Sequence, residues 1–329
     1  LGFRKLEEMV GRVDLLEMKD LSSHWKFKNL DLSPILAPAV LSDGVALFKS
    51  EEQDHGLSEQ IDWELLKIAQ SALENGQAVF AKLDIINVNR SVGTIISNEI
   101  TKKYGEKALP AGTIHMKFNG TAGQSFGAFS VKGLKLEIEG DANDYVGKGM
   151  AGGRISIFPP QGSPFQTQNT AIIGNTCLYG ATGGKVFAAG TAGERFAVRN
   201  SGAFAVIEGA GDHCCEYMTG GVVTVLGKVG HNFGAGMTGG FAYVLDLDND
   251  FVDYYNHELI DLNRISTEAM EDHKENLLRI LDEHIQETGS AWAYKIRNEF
   301  DFYSRKFWLV KPKAANLQSL LKTTQADPQ

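Results

Sequence analysis

The sequence of 329 residues predicts a mainly β fold, a coiled solenoid of about seven turns flanked by α-helices. Two observations lead to this prediction. Of the 36 glycines, 29 lie between Gly105 and Gly240, so residues suited to turns are confined to one segment. Within that segment, a glycine followed by a short apolar run recurs at a nearly constant interval. Prolines number only eight and hydrophobic residues make up 43% of the chain, which excludes a disordered low-complexity segment.

The repeat is defined by reference glycines, each of which precedes four to six residues rich in β-forming side chains. They are Gly112, Gly133, Gly153, Gly184, Gly202, Gly221 and Gly240. Their spacing is 18 to 21 residues, except for one interval of 31 that contains a loop with Pro159 and Pro160. Short strands at this period predict parallel sheets with rungs about 4.8 Å apart. The apolar positions after Gly133 and Gly153 differ by one residue, so the predicted register is defined only to within one residue.

Before the coils, the pattern predicts two helices with a strand between them. Residues 58–76 carry an apolar stripe with helical period that ends at Gly76. Residues 79–85 alternate between apolar and polar side chains, as in a half-buried strand. A second helix is predicted over residues 92–104, where two lysines in the last turn precede Gly105.

After the coils, two further helices are predicted. Ser266 or Thr267 is expected to cap a helix that ends at Gly289. Apolar residues at helical spacing then mark a helix over residues 292–300, and residues 307–310 are apolar. The many aromatic side chains at this end predict a surface that packs on a neighbouring domain.

These features divide the chain into four predicted parts. Residues 1–57 form an N-terminal connecting segment, and residues 58–110 form an α/β lead-in that packs on the solenoid. Residues 111–248 form the glycine-rich repeat domain, and residues 249–329 form a C-terminal helical tail.

Methionine and cysteine recur at fixed positions of the repeat. Met150, Met218 and Met237 each precede a reference glycine by three residues, which predicts an interior ladder. A flavin- or metal-contacting cluster is the alternative. Cys177 and Cys214 each precede their glycine by seven residues with one coil between them, which predicts a separation of two rungs, roughly 9.6 Å. Because disulfides need Cα atoms within about 6.8 Å, both cysteines are predicted to be free thiols.

Two stretches, residues 147–152 and 234–239, match the dinucleotide-binding pattern G-x-G-x-x-G. In a dinucleotide site this pattern follows a strand and opens a helix whose N-terminus faces the pyrophosphate. Here each match precedes a strand and belongs to the repeat. We therefore interpret these glycines as corners of the solenoid.

Four acidic residues, Asp141, Asp144, Asp212 and Glu208, could form a carboxylate pair on one face, as in carbohydrate-acting solenoid enzymes. They lie near glycines, where aspartate commonly serves a turn. The turn interpretation is favoured.

The sequence contains one cluster of histidine and cysteine, His213 with Cys214 and Cys215. Neighbouring strand residues point in opposite directions, so two adjacent cysteines are poorly placed to hold one metal ion. A structural role is favoured, and no hydrolase or phosphate-binding motif occurs. We therefore assign no catalytic, cofactor-binding or metal-binding residue to this chain.

Charge and cysteine usage limit the partners and the compartment. The net charge is −9, and residues 246–287, with 13 acids and three bases, have a net charge of −10, so the rest of the chain is close to neutral. We interpret this stretch as a solvated helix face. No basic stripe for nucleic acid and no apolar run long enough for a membrane is present. An odd number of cysteines without C-x-x-C fits a reducing cytoplasm, and a start at Leu1 without a signal suggests a piece of a larger protein.

Several long motifs carry a resemblance to a known family. Residues 141–154 read D-A-N-D-Y-V-G-K-G-M-A-G-G-R, and residues 193–202 read G-E-R-F-A-V-R-N-S-G. Together with residues 87–94, 123–129 and 211–221, and flanking residues 10–15 and 284–290, they resemble the C-terminal G-x-G-x-G domain of the glutamate synthase large (alpha) subunit. The resemblance covers nearly the whole chain.

This resemblance implies a right-handed, single-stranded parallel β-helix. The parent enzyme would make two glutamates from glutamine, 2-oxoglutarate and a reductant, moving ammonia through an internal tunnel. The partners would be the glutaminase, central and FMN domains of the same polypeptide, with a small electron-donating subunit or ferredoxin. FMN and an iron–sulfur cluster are expected in those other domains and none in this chain. The implied role here is structural, fixing the geometry between glutaminase and FMN domains.

Two other functions remain open at the level of sequence. The chain could be a stand-alone or subunit-type G-x-G-x-G module, such as a formylmethanofuran dehydrogenase-like subunit. It could also be a carbohydrate-acting β-helix enzyme. The flanking segments that resemble glutamate synthase disfavour the stand-alone module, and the carbohydrate-acting enzyme is the less favoured of the two alternatives.

Overall fold

The structure is a computed structural model that describes residues 2–324, and the chain divides into two compact units between Ser58 and Glu59. The first unit consists mostly of turns and extended chain. Its helical elements are the 3-10 turn Val13–Leu15 and the four-residue helix α1, Ser33–Leu36. No described residue of this unit is buried.

The second unit opens with the helices α2, Asp62–Ile68, and α3, Gln70–Asn75. The sequence predicted a single helix over residues 58–76. The structure interrupts it at Ala69, whose ψ of 0° lies outside the helical range. Gly76 ends α3 with a left-handed φ of 68°, as predicted.

Strand β1, Val79–Ile85, and helix α4, Thr94–Tyr104, follow close to their predicted ranges. The helix begins two residues later than predicted because Gly93 has a φ of 94°, which an α-helix cannot contain. The buried carboxylate of Asp62 accepts hydrogen bonds from the amides of Gly93, at 2.9 Å, and Ile95, at 2.8 Å. Burial raises the pKa of Asp62, although these backbone bonds oppose the shift. Asp62 thus fastens α2 to the start of α4.

The repeat forms ten strands in chain order. They are β2 (Ile114–Ala122), β3 (Leu134–Ala142), β4 (Ala151–Phe158), β5 (Ala171–Ile173), β6 (Gly183–Ala188), β7 (Thr191–Ala192), β8 (Ser201–Ile207), β9 (Gly209–Ala210), β10 (Thr219–Val225) and β11 (Gly239–Leu245). The main wall is fully parallel in the order β1-β2-β3-β4-β6-β8-β10-β11. Strands β5, β7 and β9 stack as a second wall from the end of β3. The predicted solenoid of about seven turns is confirmed.

The register of the main wall is offset by one residue between some coils. Lys135, Arg154 and Lys185 face one another on β3, β4 and β6. Counted from the reference glycines, Lys135 is the second residue of its coil and Arg154 the first. Between β4 and β6 the register shifts between Ala151 and Arg154, and beyond this shift Arg154 and Lys185 pair as the first residues of their coils.

The third wall of the solenoid consists of the turn segments that precede the strands of the main wall, for example residues 144–149 before β4. In these segments every second residue has a left-handed φ. In one coil these residues are Tyr145, Gly147 and Gly149, with φ of 63°, 65° and 62°. The amides of Tyr145 and Gly149 donate to carbonyls of the following coil, each at 2.9 Å, whereas the amide of Gly147 donates to the preceding coil, also at 2.9 Å. The same arrangement recurs through the coils of the wall and joins neighbouring coils by backbone hydrogen bonds.

Non-glycine residues also take the left-handed conformation in this wall. They are Ser125, Phe129, Tyr145, Thr176, Leu178, Arg195, Ala197, Arg199, His213, Cys215, Tyr217 and Asn232. A left-handed φ costs an ordinary residue roughly 1–2 kcal/mol, so the packing and hydrogen bonds of the wall must impose it.

Glycine therefore has two roles in the repeat. Reference glycines such as Gly240, with φ of 70°, lie at strand entry, as the corner interpretation predicted. The first two glycines of each G-x-G-x-x-G match lie instead in the third wall, so the prediction that the whole pattern marks corners is wrong. Elsewhere the coils approach too closely for a side chain, and a Cβ atom at Gly239 would overlap the carbonyl of Thr219.

After β11 the chain forms the helical tail. Its elements are β12 (Ile260–Arg264), the helices α5 (Glu271–Thr288), α6 (Ala291–Asn298) and α7 (Phe300–Tyr303), strand β13 (Phe307–Pro312) and helix α8 (Leu317–Thr324). Strand β13 pairs antiparallel with both β11 and β12 and ends the parallel order of the main wall. No helix within residues 2–324 combines the length and the apolar character needed to cross a bilayer.

Helix α5 ends at Gly289 with a φ of 66°, as predicted, but its predicted cap is wrong. A 3-10 turn, Glu268–Met270, precedes the helix, and Thr267 makes no side-chain cap bond. The interruption displaces the start of the α-helix to Glu271. Helix α6 has the cap instead, because the hydroxyl of Ser290 accepts from the amide of Ala293 at 3.0 Å.

Two apolar clusters hold the second unit together. The first fills the interior of the solenoid and includes Met150, Met218 and Met237, all fully buried, as predicted. The second lies between the outer side of the main wall and the tail helices. It contains Phe307 and is packed by Trp292 and Phe300 among others, so the prediction that the tail aromatics pack on another domain is wrong for these side chains.

Candidate functional site

Three of the four predicted carboxylates lie in or beside turns. Asp144 accepts from the amide of Asn175 at 2.7 Å, and Asp212 accepts from the amide of His231 at 2.8 Å. In each case a side chain of one coil ties down the backbone of the next. Asp141 is exposed at the edge of β3. The turn interpretation is confirmed for Asp144 and Asp212.

Glu208, directly after β8, is different because its side chain is fully buried. Its Oε1 lies 3.3 Å from Nε2 of the buried His284 and accepts a short hydrogen bond from the hydroxyl of Ser290. Among the described residues, the second carboxylate oxygen of Glu208 and Nδ1 of His284 have no hydrogen-bond partner. Serine, histidine and glutamate therefore meet in the interior, where one coil supports the junction of α5 and α6.

The connectivity of this cluster is unsuitable for nucleophilic catalysis. In a serine hydrolase the histidine accepts the serine proton and the carboxylate binds the far side of the histidine. Here the hydroxyl of Ser290 donates to Glu208, and the same hydroxyl caps α6. Ser290 is also 97% buried. The arrangement anchors the tail helices to the solenoid.

A second anchor is a ladder of charges on the outer side of the main wall. Glu283 and Glu287 lie one turn apart on α5, opposite the aligned bases Lys135, Arg154 and Lys185. Oε1 of Glu283 lies 2.9 Å from Nζ of Lys185 and 3.1 Å from Nη2 of Arg154. Oε2 of Glu287 lies 2.8 Å from Nζ of Lys135. Arg154 also pairs with Glu287. Rungs of the solenoid and turns of the helix are thus matched in spacing.

Glu287 is the most enclosed member, with 6% of its side chain exposed. Besides Lys135 and Arg154, it accepts from the hydroxyl of the buried Ser156 at 2.8 Å. Burial alone would favour the protonated acid, but bonds from Lys135, Ser156 and Arg154 outweigh it and hold the pKa of Glu287 below its usual value. Glu287 is therefore an ionised carboxylate that binds three donors from two neighbouring strands, β3 and β4.

The interpretation of residues 246–287 as a solvated face is wrong for several of its acids. Glu283 and Glu287 bind the wall as described, and the side chain of Asp246 is 1% exposed. Asp246 accepts from the indole of Trp308 at 2.8 Å. The sequence contained a signal for the ladder, because a base stands first or second after three successive reference glycines.

The cysteines are free thiols in the solenoid interior. Phe196 stands between Cys177 and Cys214 in the wall, which agrees with the predicted separation of two rungs. The sulfurs of Cys214 and Cys215 lie 3.8 Å apart, so these side chains do not point in opposite directions as predicted. The left-handed φ of Cys215, 58°, breaks the strand alternation.

Burial makes these thiols unsuited to metal binding. It raises the pKa of Cys177 to about 12 and raises that of Cys214 well above its usual value. His213 lies outside, 3.4 Å from Glu216. Within the described part of the chain, no three or more histidine, cysteine, aspartate or glutamate side chains come together as metal ligands.

A shallow groove of about 690 Å³ lies beside the charge ladder. Its floor is glycine backbone from successive coils, and Lys132 adds a base that is not in the ladder. The charged side chains of the groove are otherwise engaged with one another. We therefore assign no catalytic residue to this groove.

The sequence profile described as the GXGXG motif matches residues 62–313. Glutamate synthase [NADH] of Schizosaccharomyces pombe is 48% identical over 314 residues, which is 95% of this chain and 15% of the relative. The glutamate synthase [NADPH] large chain of Azospirillum brasilense is 45% identical over 313 residues, 95% of this chain and 20% of the relative. Ferredoxin-dependent glutamate synthase 2, chloroplastic, of Arabidopsis thaliana is 43% identical over 335 residues, 99% of this chain and 20% of the relative. The chain thus spans one fifth or less of the length of these relatives.

Proposed function

The chain belongs to the GXGXG-motif family, and we propose that it is the C-terminal domain of a glutamate synthase large subunit. In that role it holds the glutaminase and FMN domains at the separation that ammonia transfer requires. The observation that carries the proposal is the similarity to glutamate synthases over 95–99% of this chain, together with a solenoid joined to its helices by buried anchors.

A solenoid suits this role for a physical reason. Successive coils are joined by backbone hydrogen bonds on three walls, so the distance between its ends is set by the number of coils. The charge ladder and the Glu208 cluster bind the tail helices along several coils and stiffen them further. A stiff solenoid of this kind can fix the distance between two other domains, and this role requires no reactive side chain.

The redox groups of the proposed parent enzyme would lie in its other domains. An iron–sulfur cluster needs three or four thiolates converging on one point. The three thiols here are buried and free, burial raises the pKa of Cys177 and of Cys214, and Phe196 separates Cys177 from Cys214. The residues present do not fit a cluster, and we propose that FMN and the cluster belong outside this chain, in a cytoplasmic enzyme supplied by a reductase subunit or ferredoxin.

The test is a full-length subunit that lacks residues 111–248, compared with the intact subunit. The glutamine hydrolysed and the 2-oxoglutarate consumed are measured together. We expect the intact enzyme to use one glutamine per 2-oxoglutarate and the deletion to hydrolyse glutamine in excess. Equal consumption of both substrates by the deletion variant would refute the proposal.

The alternatives are not favoured. A stand-alone assembly module would not be expected to share its flanks with glutamate synthases over 95% of its length. A carbohydrate-acting enzyme needs paired carboxylates on an open face, whereas Asp144 and Asp212 bind backbone and Glu208 is buried.

A further inference from the structure

The first compact unit has an unusual surface. We call residues 2–58 the N-terminal arm. Fifteen large apolar side chains between Leu6 and Phe48 are exposed, among them Trp25 at 81%, Ile35 at 76% and Val40 at 100%. No described residue of the arm is buried. The arm thus has apolar side chains without an apolar interior.

This composition differs from that of a solvated linker. Flexible linkers are poor in large apolar and aromatic residues, because such residues cost free energy in water. Exposed apolar surface on this scale marks a site of interaction. The backbone hydrogen bonds of the arm join residues two to four positions apart, in short turns such as the 3-10 turn Val13–Leu15 and the four-residue α1. The arm therefore has the surface composition of a segment that binds a partner.

Charge separates the possible partners. The arm has seven lysines and arginines against ten aspartates and glutamates, so it would be repelled by an anionic membrane. It also contains no long amphipathic helix of the kind that lies in a bilayer interface. A folded protein surface with apolar pockets remains the suitable partner.

The similarity to glutamate synthases indicates where this partner surface lies. The GXGXG profile begins at residue 62 and leaves out the arm. The similarity to a ferredoxin-dependent glutamate synthase spans 99% of this chain and therefore includes it. The arm is thus a feature shared with glutamate synthases rather than with the GXGXG motif itself. Those relatives are about five times longer than this chain, so their further domains provide surfaces that the arm could bind.

We propose that the N-terminal arm binds an apolar surface of another domain of the same large subunit and fastens the solenoid to it. This inference rests on the proposed function, because the partner surface lies in the longer polypeptide. Trp25, Ile35 and Val40 are the anchoring side chains, since they are the most exposed apolar residues of the arm.

The test is hydrogen–deuterium exchange of the arm in the 329-residue chain and in the full-length subunit. We expect the amides of residues 12–50 to exchange within seconds in the 329-residue chain. In the full-length subunit we expect exchange at least about 100-fold slower, as for segments that open only by sub-global unfolding. Equally fast exchange in both proteins would refute the inference. Slow exchange in the 329-residue chain, whether at all concentrations or rising with concentration, would also refute it, because the arm would bind its own chain or a second copy.

A pair of variants in the full-length subunit shows whether apolar anchoring is the cause. Trp25→Ser should restore fast exchange in the arm, whereas Lys28→Ser, an exposed polar position on the same turn, should leave it slow. Identical behaviour of the two variants would contradict the assignment. Coupled substrate use by the full-length subunit is measured in parallel. If the arm exchanges fast in the full-length subunit while deletion of residues 111–248 causes excess glutamine hydrolysis, this inference alone is refuted. If the deletion variant still consumes one glutamine per 2-oxoglutarate, the proposed function is refuted instead.

Discussion

Removing Glu287 tests the charge ladder between α5 and the solenoid. In Glu287→Ala, three donors lose their acceptor, those of Lys135, Arg154 and Ser156. A hydrogen bond to a charged group contributes about 1.5–3 kcal/mol, and breaking a fully buried ion pair costs about 3–5 kcal/mol. Lys135 and Arg154 are 24% and 33% exposed, so water can solvate them after the loss. The expected cost is therefore about 2–3 kcal/mol, dominated by the stranded Ser156 and the lost docking of α5.

The assay is thermal unfolding followed by circular dichroism. For a unit of this size, with an unfolding entropy of about 2.1 cal/mol/K per residue, the expected cost lowers the Tm by roughly 3–6 °C. The matched control is Glu275→Ala on the same helix, an exposed position that should change the free energy of unfolding by less than about 0.5 kcal/mol. If Glu287→Ala were no less stable than Glu275→Ala, the ladder would not hold the helix and the reasoning would fail.

The pH dependence of the same pair gives a second readout. The pKa of Glu287 is lower in the folded state than its usual value near 4.5, so its stabilisation is complete above that value. As the pH falls from there through the folded pKa, the carboxylate is protonated and its stabilisation is lost. The difference in Tm between the parent and Glu287→Ala should therefore be constant from pH 6 to 8 and shrink below about pH 4.5.

Three further predictions concern the interior of the repeat. Gly239→Ala would place a Cβ atom against the carbonyl of Thr219, and we expect it to lower the free energy of unfolding in urea by about 3 kcal/mol or more. The control Gly162→Ala meets no atom within 4 Å, and its positive φ alone should lower the free energy of unfolding by about 1 kcal/mol. Met218→Ala should lower the free energy of unfolding by about 2–5 kcal/mol, and a loss under 1 kcal/mol would mean that the ladder is not packed. A thiol reagent at pH 8 should label Cys177 and the other cysteines only after denaturation, because the pKa of Cys177 is raised to about 12; rapid labelling of the native chain would contradict its burial.

The solenoid could be predicted from the sequence because a single residue type, glycine, recurs once per coil at a nearly constant spacing. Close approach of coils and left-handed φ at the corners both exclude most side chains, so glycine recurs at fixed spacing. The interior methionines could be predicted for the same reason, since each stands at a fixed distance from its glycine. Local chemistry repeated in every coil leaves a periodic signal.

The third wall could not be predicted in this way. Its left-handed positions are taken by residues as different as Leu178, Arg199 and Cys215, because neighbouring coils impose the backbone through hydrogen bonds. No local preference reveals such a position. The same wall explains why the sulfurs of Cys214 and Cys215 lie together, contrary to the strand alternation assumed from the sequence.

The anchors depend on contacts between residues far apart in sequence. Glu208 meets Ser290 across 82 positions, and Arg154 meets Glu287 across 133. A run of acids on an amphipathic helix is usually solvated, and only the aligned bases of the wall change that outcome. The pairing depends on where α5 lies, which the tail sequence does not encode locally.

The most direct test of the central claim changes the length of the solenoid by one coil. Duplicating residues 203–221 in the full-length subunit adds one rung, about 4.8 Å, whereas a 19-residue insertion after Gly162 adds the same number of residues in a loop. If the coils set the distance between two active sites, the duplication should hydrolyse glutamine in excess of the 2-oxoglutarate consumed, and the loop insertion should remain coupled. A duplication variant that keeps both activities and still uses one glutamine per 2-oxoglutarate would contradict the account.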